Sequence, residues 1–319
     1  MARAAKPRAS RSNEGRRTAD PTPAVAVRVH CPGKVNLGLW ILGRRPDGYH
    51  EVDTILQSID LEDELELARS DRPGFRFVAT GRPIPGPGPN VVERAWELLV
   101  SERPRLAKEG VEARLLKRIP VGAGLGGGSS DAAGLLAGAN ALFDLGFDSS
   151  DLEGLAAQLG SDIPFFIRGG TARGTGRGER LRHLRPLSPT WGVVVSPPVA
   201  VSTSWAYGLL RNRLTLRGSA ASILASAVAS GDVGAAVEAR FNAFEDVVLS
   251  QVPLLARLKQ SCVAAGAWGP LLSGSGSSLF TLARTEDEAR LVAKAIGACD
   301  ADVRVMRTRE RGVTVARTM

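Results

Sequence analysis

Hydrophobic and polar residues alternate along the first part of the chain, which is the pattern of β-strands with one buried face. Apolar residues alternate over 25–31 and again over 35–41, and the Pro-Gly pair at 32–33 predicts a turn that joins two paired strands. A second turn over 43–48 leads into a long strand-like segment over 49–67. The chain is therefore predicted to open on antiparallel sheet.

Apolar positions later in the chain recur at helical spacing, and short alternating stretches separate them. Asn90 is predicted to cap a helix over 91–99, and the segment from Ser150 to Glu153 has the capping-box pattern that begins a helix ending near Gly160. Further strands are predicted over 111–118, 191–201, 279–283 and 303–307, and further helices from about 129 to 142 and over 219–230, 232–249, 252–265 and 286–296. This irregular order favours an α+β fold, in which a mixed sheet carries helices on one side.

A glycine-rich segment, which we call the phosphate loop, lies between the predicted strand 111–118 and an alanine-rich helix. Glycines let consecutive backbone N–H groups converge on an anion, and a helix that begins near Ser129 adds unpaired N–H donors and the positive end of its dipole. The loop is therefore predicted to bind the phosphates of a nucleotide. Its members are Pro120, Val121, Gly122, Ala123, Gly124, Leu125, Gly126, Gly127, Gly128, Ser129 and Ser130.

Other nucleotide-binding loops do not fit this segment. No lysine follows the glycines, as a Walker A loop requires, and the chain has no H-R-D or D-F-G triplet of a protein kinase. Gly122, Gly124 and Gly127 satisfy the dinucleotide-binding spacing, but the preceding strand alternates apolar and charged residues and no strand-end acid follows about 20 residues later. A glycine-rich turn without a ligand is the remaining alternative.

Charge and composition narrow the functional classes. The chain of 319 residues has a net charge of +8, but residues 1–20 hold six basic and two acidic residues, so half of the excess lies there. The small positive net charge of the rest of the chain argues against a dedicated nucleic-acid surface and suits the attraction of polyanionic nucleotides. Residues 1–24 lack large apolar side chains and are predicted to be a disordered basic tail, with an organellar transit peptide as the alternative.

The chain also lacks the features of membrane and secreted proteins. No apolar run reaches the ~18 residues that span a bilayer. Cys31, Cys262 and Cys299 are far apart in the sequence, which suits a reducing compartment and gives neither a disulfide framework nor a zinc site. A cytoplasmic protein with no membrane partner and no nucleic-acid partner is expected.

Two charged residues stand in apolar surroundings, where an ionised group needs a partner. Lys34 is available to pair with phosphate or with a catalytic base, or it is an edge lysine that opposes aggregation. Asp162 is either a general base held by a cation such as Lys34, or it forms an Asx turn or a helix cap before Pro164. Tyr49 and His50 follow a turn and either bind a base or only pack against their neighbours.

Three segments, in this order, resemble the motifs of the GHMP small-molecule kinases. They are Pro-Gly-Lys-Val-Asn-Leu at 32–37, the phosphate loop and Leu-Ser-Gly-Ser-Gly-Ser-Ser at 272–278. Gly-Tyr-His at 48–50 and Gly-Ser-Asp-Ile-Pro at 160–164 are similar to the branch of the family whose acceptor is a diphosphocytidyl methylerythritol. The order of the segments carries more weight than any one of them.

The resemblance covers roughly residues 27–285, with small departures from the family pattern. Gly33 and Ser161 stand where the family more often has alanine, and Ser275 stands where it more often has threonine. These changes exchange one small residue for another. They leave the implied chemistry intact and leave the shape of the late glycine segment open.

The resemblance implies a two-lobed α+β fold, with a ribosomal S5 domain 2-like lobe over 25–190 and a ferredoxin-like lobe over 191–319. It implies an ATP-dependent, Mg²⁺-requiring kinase of the non-mevalonate isoprenoid pathway that phosphorylates the 2-hydroxyl of this small-molecule acceptor. Asp162 would accept the hydroxyl proton, and Lys34 would keep that carboxylate ionised and oriented. The alternatives are another family kinase that acts on homoserine, mevalonate or a sugar, and a nucleotide sensor without turnover.

The resemblance also assigns binding residues. Ser129 or Ser130 would reach Mg²⁺ through its hydroxyl, and Ser130 is the preferred ligand. Tyr207 would stack on cytosine opposite Tyr49, with Trp205 as the rival. The predicted substrate-binding residues are Asn36, Tyr49, His50, Tyr207, Gly274, Ser275 and Gly276. The segment 274–277 would close, through its backbone donors, around a substrate phosphate or around the nucleotide loop.

Overall fold

The computed structural model of the protein describes residues 26–84, 86, 88, 90–187, 189–210, 220–297 and 299–318. The predicted basic tail over 1–24 lies outside the described residues. Helices and strands mix along the chain, as predicted for an α+β fold. Within the described ranges, no helix is long and apolar enough to cross a membrane.

The larger sheet contains eight strands among the described residues and carries most of the first half of the chain. Its central strands β1 and β2 pair antiparallel along nearly their whole lengths, and the order across the sheet is β12-β1-β2-β4-β3, with β5 beside β2, β6 beside β5 and β8 beside β1. The strands are β1 Ala26–Arg44, β2 His50–Ser70, β3 Gly74–Gly81, β4 Gly110–Lys117, β5 Thr171–Gly176, β6 Arg180–His183, β8 Phe241–Asn242 and β12 Thr314–Thr318.

The Pro-Gly pair at 32–33 does not reverse the chain, so the prediction of two paired strands over 25–41 is wrong. β1 is one continuous strand, and its pairing with β2 shifts register between Pro32 and Gly33. Proline cannot donate to the ladder and is tolerated at such a bulge. The bulge lies two residues before Lys34, so it sets the point at which this strand bends beside the site.

The smaller sheet forms from the second half of the chain. Its order is β11-β7-β10-β9, and all neighbours pair antiparallel. The strands are β7 Trp191–Ser196, β9 Trp268–Leu272, β10 Leu279–Ala283 and β11 Asp302–Arg307. The predicted strand over 191–201 therefore ends early, at Ser196. The proposed division of the chain between residues 190 and 191 falls just before β7 and stays a prediction.

Most predicted helices are present, with two corrections. The predicted helix over 232–249 is two helices, because the short strand β8 pairs with β1 between them. Asn90 caps its helix as predicted, but the other capping box is formed by Asp148 and Asp151 rather than by Ser150 and Glu153. The helices are α1 Val91–Glu102, α2 Gly127–Leu142, α3 Ser149–Leu159, α4 Ile163–Arg168, α5 Thr203–Leu210, α6 Ala220–Ser230, α7 Val233–Glu238, α8 Glu245–Gln251, α9 Pro253–Ala264 and α10 Glu286–Ile296, with a 3-10 turn at Pro104–Lys108.

Helix α2 is buried along most of its length and lies close to β1 and β2. A Cβ atom at Gly134 would lie 2.4 Å from the Cys31 sulfur, and one at Gly138 would lie 2.8 Å from side-chain atoms of Val29 and Leu67. Only glycine fits at such separations. This close packing fixes the helix against the sheet and therefore fixes the position of its N-terminus, where the phosphate loop ends.

Candidate active site

The phosphate loop runs directly into the N-terminus of α2. Gly126 is the N-cap residue and has a left-handed backbone with φ +70°, so the helix begins at Gly127, two residues before the expected start near Ser129. The N–H groups of the first helical turn have no acceptor within the helix, and the dipole adds partial positive charge there. This end of the helix can therefore bind an anion.

A cavity of about 370 Å³, the glycine-lined cavity, opens over this helix end. Nine of the eleven predicted phosphate-loop residues line it, and the two exceptions are Leu125 and Ser130. Leu125 packs its side chain into the hydrophobic core, while its carbonyl accepts a hydrogen bond from the Lys34 N–H at 2.9 Å. Ser130 is fully buried, and its hydroxyl has no hydrogen-bond partner among the described residues.

Lys34 lies on β1 beneath this cavity and is held on two sides. Its ammonium donates to Asn36 Oδ1 at 2.6 Å and to the Gly124 carbonyl at 2.8 Å, and it lies 3.9 Å from Asp162 Oδ2. Burial lowers the pKa of Lys34 because it removes water from the ammonium, and the negative charge of Asp162 partly opposes that shift. The lysine is therefore not an exposed edge residue of the sheet.

Asp162 occupies the N-cap position of α4, but its side chain makes no capping hydrogen bond. The carboxylate is 44% exposed, and the residue lines the glycine-lined cavity and a second, larger cavity. The carboxylate is thus not used by the helix end, which was the structural alternative. It faces the space where the two cavities meet.

The second cavity, of about 730 Å³, has aromatic walls and is called here the aromatic cavity. Tyr49, His50 and Tyr207 line it, whereas Trp205 is not among the lining residues of either cavity. The two cavities share Ser129, Asp162, Arg177, Thr203 and Tyr207. The two cavities therefore adjoin; Asp162 lies at this junction, and its partner Lys34 lines the glycine-lined cavity.

The aromatic side chains contact one another as well as the cavity. His50 stacks on Tyr207 with ring centroids 4.7 Å apart, and Phe244 meets Tyr207 edge-on at 4.9 Å. Burial, with a smaller contribution from the charge of Asp162, raises the pKa of Tyr207 to about 12. Burial, followed by the charge of Arg44, lowers the pKa of His50. Both rings are therefore neutral over the physiological pH range.

The segment 272–278, called here the late glycine segment, contacts the phosphate loop. The predicted residues Gly274, Ser275 and Gly276 line the glycine-lined cavity rather than the aromatic one. Gly274 has φ +56°, and a Cβ there would lie 3.2 Å from the Lys34 ammonium. The Ser273 hydroxyl donates to the Gly124 carbonyl at 3.0 Å. The segment therefore forms the wall opposite α2.

Asn36 orients Lys34 within a chain of hydrogen bonds. Its carbonyl oxygen accepts from Lys34, its amide donates to Thr54 Oγ1 at 2.9 Å, and Thr54 donates to the Gly38 carbonyl at 2.7 Å. Asn36 lines the glycine-lined cavity but is only 5% exposed. Its observed contacts position the lysine.

Several residues at the site are missing from the sequence-based prediction. Arg177 lines both cavities and lies over the Tyr49 ring, 4.9 Å from its centroid. The Asn242 amide holds the late glycine segment by donating to the carbonyls of Leu272 and Gly274. Both lie in stretches without a recognisable motif. Lys117 lines neither cavity, but its burial beside the phosphate loop could have been predicted, because it follows the alternating buried positions of β4.

A candidate Mg²⁺ site is only partly defined by protein atoms. The described residues contain no cluster of three or more His, Cys, Asp or Glu side chains that could hold a metal ion. The Ser130 hydroxyl has no hydrogen-bond partner among the described residues, but Ser130 is buried and lines neither cavity. Ser129 lines both cavities, so its hydroxyl is the more accessible of the two. Mg²⁺ commonly keeps several water and phosphate ligands and uses few from the protein.

Comparisons with known proteins identify the family of the chain. The model of the GHMP kinases N terminal domain matches residues 90–170, and that of the GHMP kinases C terminal region matches residues 224–301. The 4-diphosphocytidyl-2-C-methyl-D-erythritol kinase of Pelotomaculum thermopropionicum is 42% identical over 89% of this chain and 98% of its own length. The enzyme of that name from Gloeobacter violaceus is 40% identical, over 90% and 96%.

Solved structures are similar over the same length. A crystal structure of 4-(cytidine 5'-diphospho)-2C-methyl-D-erythritol kinase has a TM-score of 0.73 and 34% identity, and the match covers 88% of this chain and 98% of that one. A homoserine kinase from Cytophaga hutchinsonii has a TM-score of 0.74 at 20% identity over 93% and 99%, a likeness of fold. The chain therefore belongs to the GHMP kinase family.

Proposed function

We propose that this protein is an ATP-dependent kinase that phosphorylates the 2-hydroxyl of 4-diphosphocytidyl-2-C-methyl-D-erythritol in the non-mevalonate isoprenoid pathway. The observation that carries the proposal is the Lys34–Asp162 pair at the junction of the two cavities. One cavity is lined by backbone donors that suit a triphosphate, and the other has aromatic walls that suit a pyrimidine nucleotide. A hydroxyl and a γ-phosphate would meet beside Asp162.

The triphosphate lies along the phosphate loop in this proposal. N–H groups at the start of α2 and in the loop neutralise its charge, which is the main task of a protein in phosphoryl transfer through a loose transition state. Mg²⁺, bound chiefly by phosphate oxygens and water with the hydroxyl of Ser130 or Ser129, would supply further charge neutralisation. The late glycine segment at 274–276 closes the other side of the phosphates.

Asp162 accepts the proton of the attacking hydroxyl. The carboxylate needs no unusual basicity when the proton leaves late in the reaction, and it needs to point at the hydroxyl. Lys34 meets both requirements for a partner: its ammonium lies 3.9 Å from Asp162, and Asn36 and Gly124 fix its position. Lys34 therefore keeps the carboxylate ionised and aimed.

The acceptor occupies the aromatic cavity with its cytosine between Tyr49 and Tyr207. Because His50 stacks on Tyr207, the imidazole leaves that ring face when the base enters, and its nitrogens then reach the polar edge of the base. Arg177 lines both cavities, so its guanidinium is placed to contact the acceptor diphosphate. The protein acts in the cytoplasm on a small molecule, with no nucleic-acid partner, and its two lobes span 25–190 and 191–319.

A panel of acceptors tests the proposal. Purified protein with ATP and Mg²⁺ is offered 4-diphosphocytidyl-2-C-methyl-D-erythritol, homoserine, mevalonate or galactose, ADP release is followed, and the product is examined by phosphorus NMR. We expect ADP and a new phosphate monoester with the first acceptor alone. Turnover of another acceptor in its place would refute the substrate assignment, and nucleotide binding without ADP release from any of them would refute the assignment as a kinase.

A further inference from the structure

We propose that Lys117, Asp63 and Asp131 form a buried clamp that joins the two ends of the phosphate loop, which makes Lys117 a positioning residue for the nucleotide phosphates. This inference rests on the proposed binding of ATP by that loop. None of the three side chains lines either cavity, so the clamp acts through the loop and not by contact with a ligand.

The first half of the clamp holds the entrance to the loop. Lys117 is the last residue of β4, and its ammonium donates to Asp63 Oδ2. The other oxygen of Asp63 accepts from the backbone N–H groups of Arg118 at 2.5 Å and Ile119 at 2.8 Å. These are the two residues directly before Pro120. Asp63 therefore fixes the direction in which the chain leaves the sheet and enters the loop.

The second half of the clamp holds the exit from the loop. The same ammonium donates to Asp131 Oδ2 at 2.7 Å, and Asp131 lies in the second turn of α2. A Cβ placed on Gly127 would lie only 2.7 Å from the Lys117 Nζ atom. The ammonium therefore sits directly against the first residue of the helix, whose N–H belongs to the proposed phosphate site.

Burial makes this cluster rigid and sensitive to change. The side chains of Lys117, Asp63 and Asp131 are 3%, 0% and 3% exposed. A buried ion pair has high desolvation costs, so loss of one partner leaves an uncompensated charge that is strongly destabilising. The Lys117 ammonium thus couples β4, before the phosphate loop, to α2, after it. A change at this ammonium should therefore shift the backbone N–H groups of the loop.

Three variants separate positioning from simple stability. Lys117→Met removes the charge, Lys117→Arg keeps the charge but adds bulk against Gly127, and Gly127→Ala presses on the same contact from the other side. A matched control is Arg173→Met, which breaks the half-buried ion pair of Arg173 with Asp53 on the same sheet, and neither residue lines either of the two cavities.

The readouts are the dissociation constant for ATP by calorimetry, the KM for the acceptor, the melting temperature and amide hydrogen exchange over residues 118–129. We expect each clamp variant to weaken ATP binding about tenfold, which corresponds to the loss of one hydrogen bond from a displaced backbone N–H of the loop to phosphate. The KM for the acceptor should not change. We expect faster exchange across the loop as well. Arg173→Met should lower the melting temperature without a change in ATP affinity.

ATP affinity and loop exchange decide between the two roles. A cluster that only supports the fold would lower the melting temperature of the clamp variants with ATP affinity kept, as expected for Arg173→Met, and that result, or unchanged loop exchange in all folded variants, would overturn the clamp. If the wild-type protein bound no ATP, the proposed function would fail instead. The exchange data would then still decide whether Lys117 orders the loop.

Discussion

Replacement of Asp162 by asparagine removes the negative charge at the junction of the cavities and keeps the size of the side chain. Asp162 makes no capping bond to α4 and its side chain is 44% exposed, so the free energy of unfolding should change little. In the proposed mechanism the phosphate loop binds ATP through backbone N–H groups and not through Asp162, so the KM for ATP should also change little. The loss should fall on kcat.

Two quantities set the size and the signature of this effect. A positioned general base contributes about 10²–10⁴-fold, so the barrier should rise by ~3–5 kcal/mol. In addition, Asp162 raises the pKa of Lys34 against the larger lowering that burial causes, so its removal should lower that pKa further. The proposed mechanism requires Lys34 as the ammonium, so kcat should fall as pH rises through this pKa, and the fall should begin at lower pH in the variant.

Steady-state kinetics over the neutral and alkaline range, followed through ADP release, measure both effects in one experiment. Ser161→Ala is the matched control, since Ser161 lines the aromatic cavity beside Asp162 and has no proposed chemical role. Thermal unfolding of each protein shows whether the fold is kept. A kcat for Asp162→Asn within a factor of about ten of wild type, or an alkaline fall at unchanged pH, would refute the reasoning.

Other substitutions test the remaining parts of the site. Lys34→Ala should lower kcat by about 10²-fold or more with a smaller change in the KM for ATP, as measured by the same assay, and a normal kcat would contradict its role. Gly124→Ala should lower the free energy of unfolding by ~2 kcal/mol or more and abolish ATP binding, because Gly124 has φ +76° and its Cβ would lie 2.0 Å from the Ser273 carbonyl oxygen. Denaturant titrations measure the stability, and Gly146→Ala is the control, since Gly146 has the same φ and open space around it. Tyr49→Ala should raise the acceptor KM about tenfold through loss of stacking and leave the KM for ATP unchanged, and equal changes in both would count against the assignment.

Local signals in the sequence account for much of the fold. Asn90 was identified as a cap because its side chain needs only the next residues as partners, and the helix over 286–296 and the strand over 279–283 match their predicted bounds. Errors occur where a distant strand decides the outcome. The pairing of Phe241 and Asn242 with β1 interrupts a helical pattern, and β2 keeps Pro32 and Gly33 in one strand.

At the site, too, residues within local motifs could be predicted, whereas residues placed by distant contacts could not. Ordered glycine and lysine motifs locate the phosphate loop, Lys34 and Asp162, and the structure places them together. Their roles remain predictions. No local pattern marks Arg177, whose position depends on how β5 and β6 turn beside the cavities. Lys117 is charged and yet buried, because it stands at one of the inward-facing positions of β4.

The strand that bears Lys34 pairs in its first part with β12, which lies far from it along the chain. Thr314–Thr318 pairs with Ala26–His30, so the first half of β1 has neighbours on both sides only after those residues are available. During synthesis on a ribosome, every residue that lines the two cavities leaves the exit tunnel before β12 does. We therefore expect a nascent chain that stops short of Thr314 to carry the cavity residues on a sheet in which the first part of β1 pairs with β2 alone, and to complete that part of the sheet only when β12 has emerged.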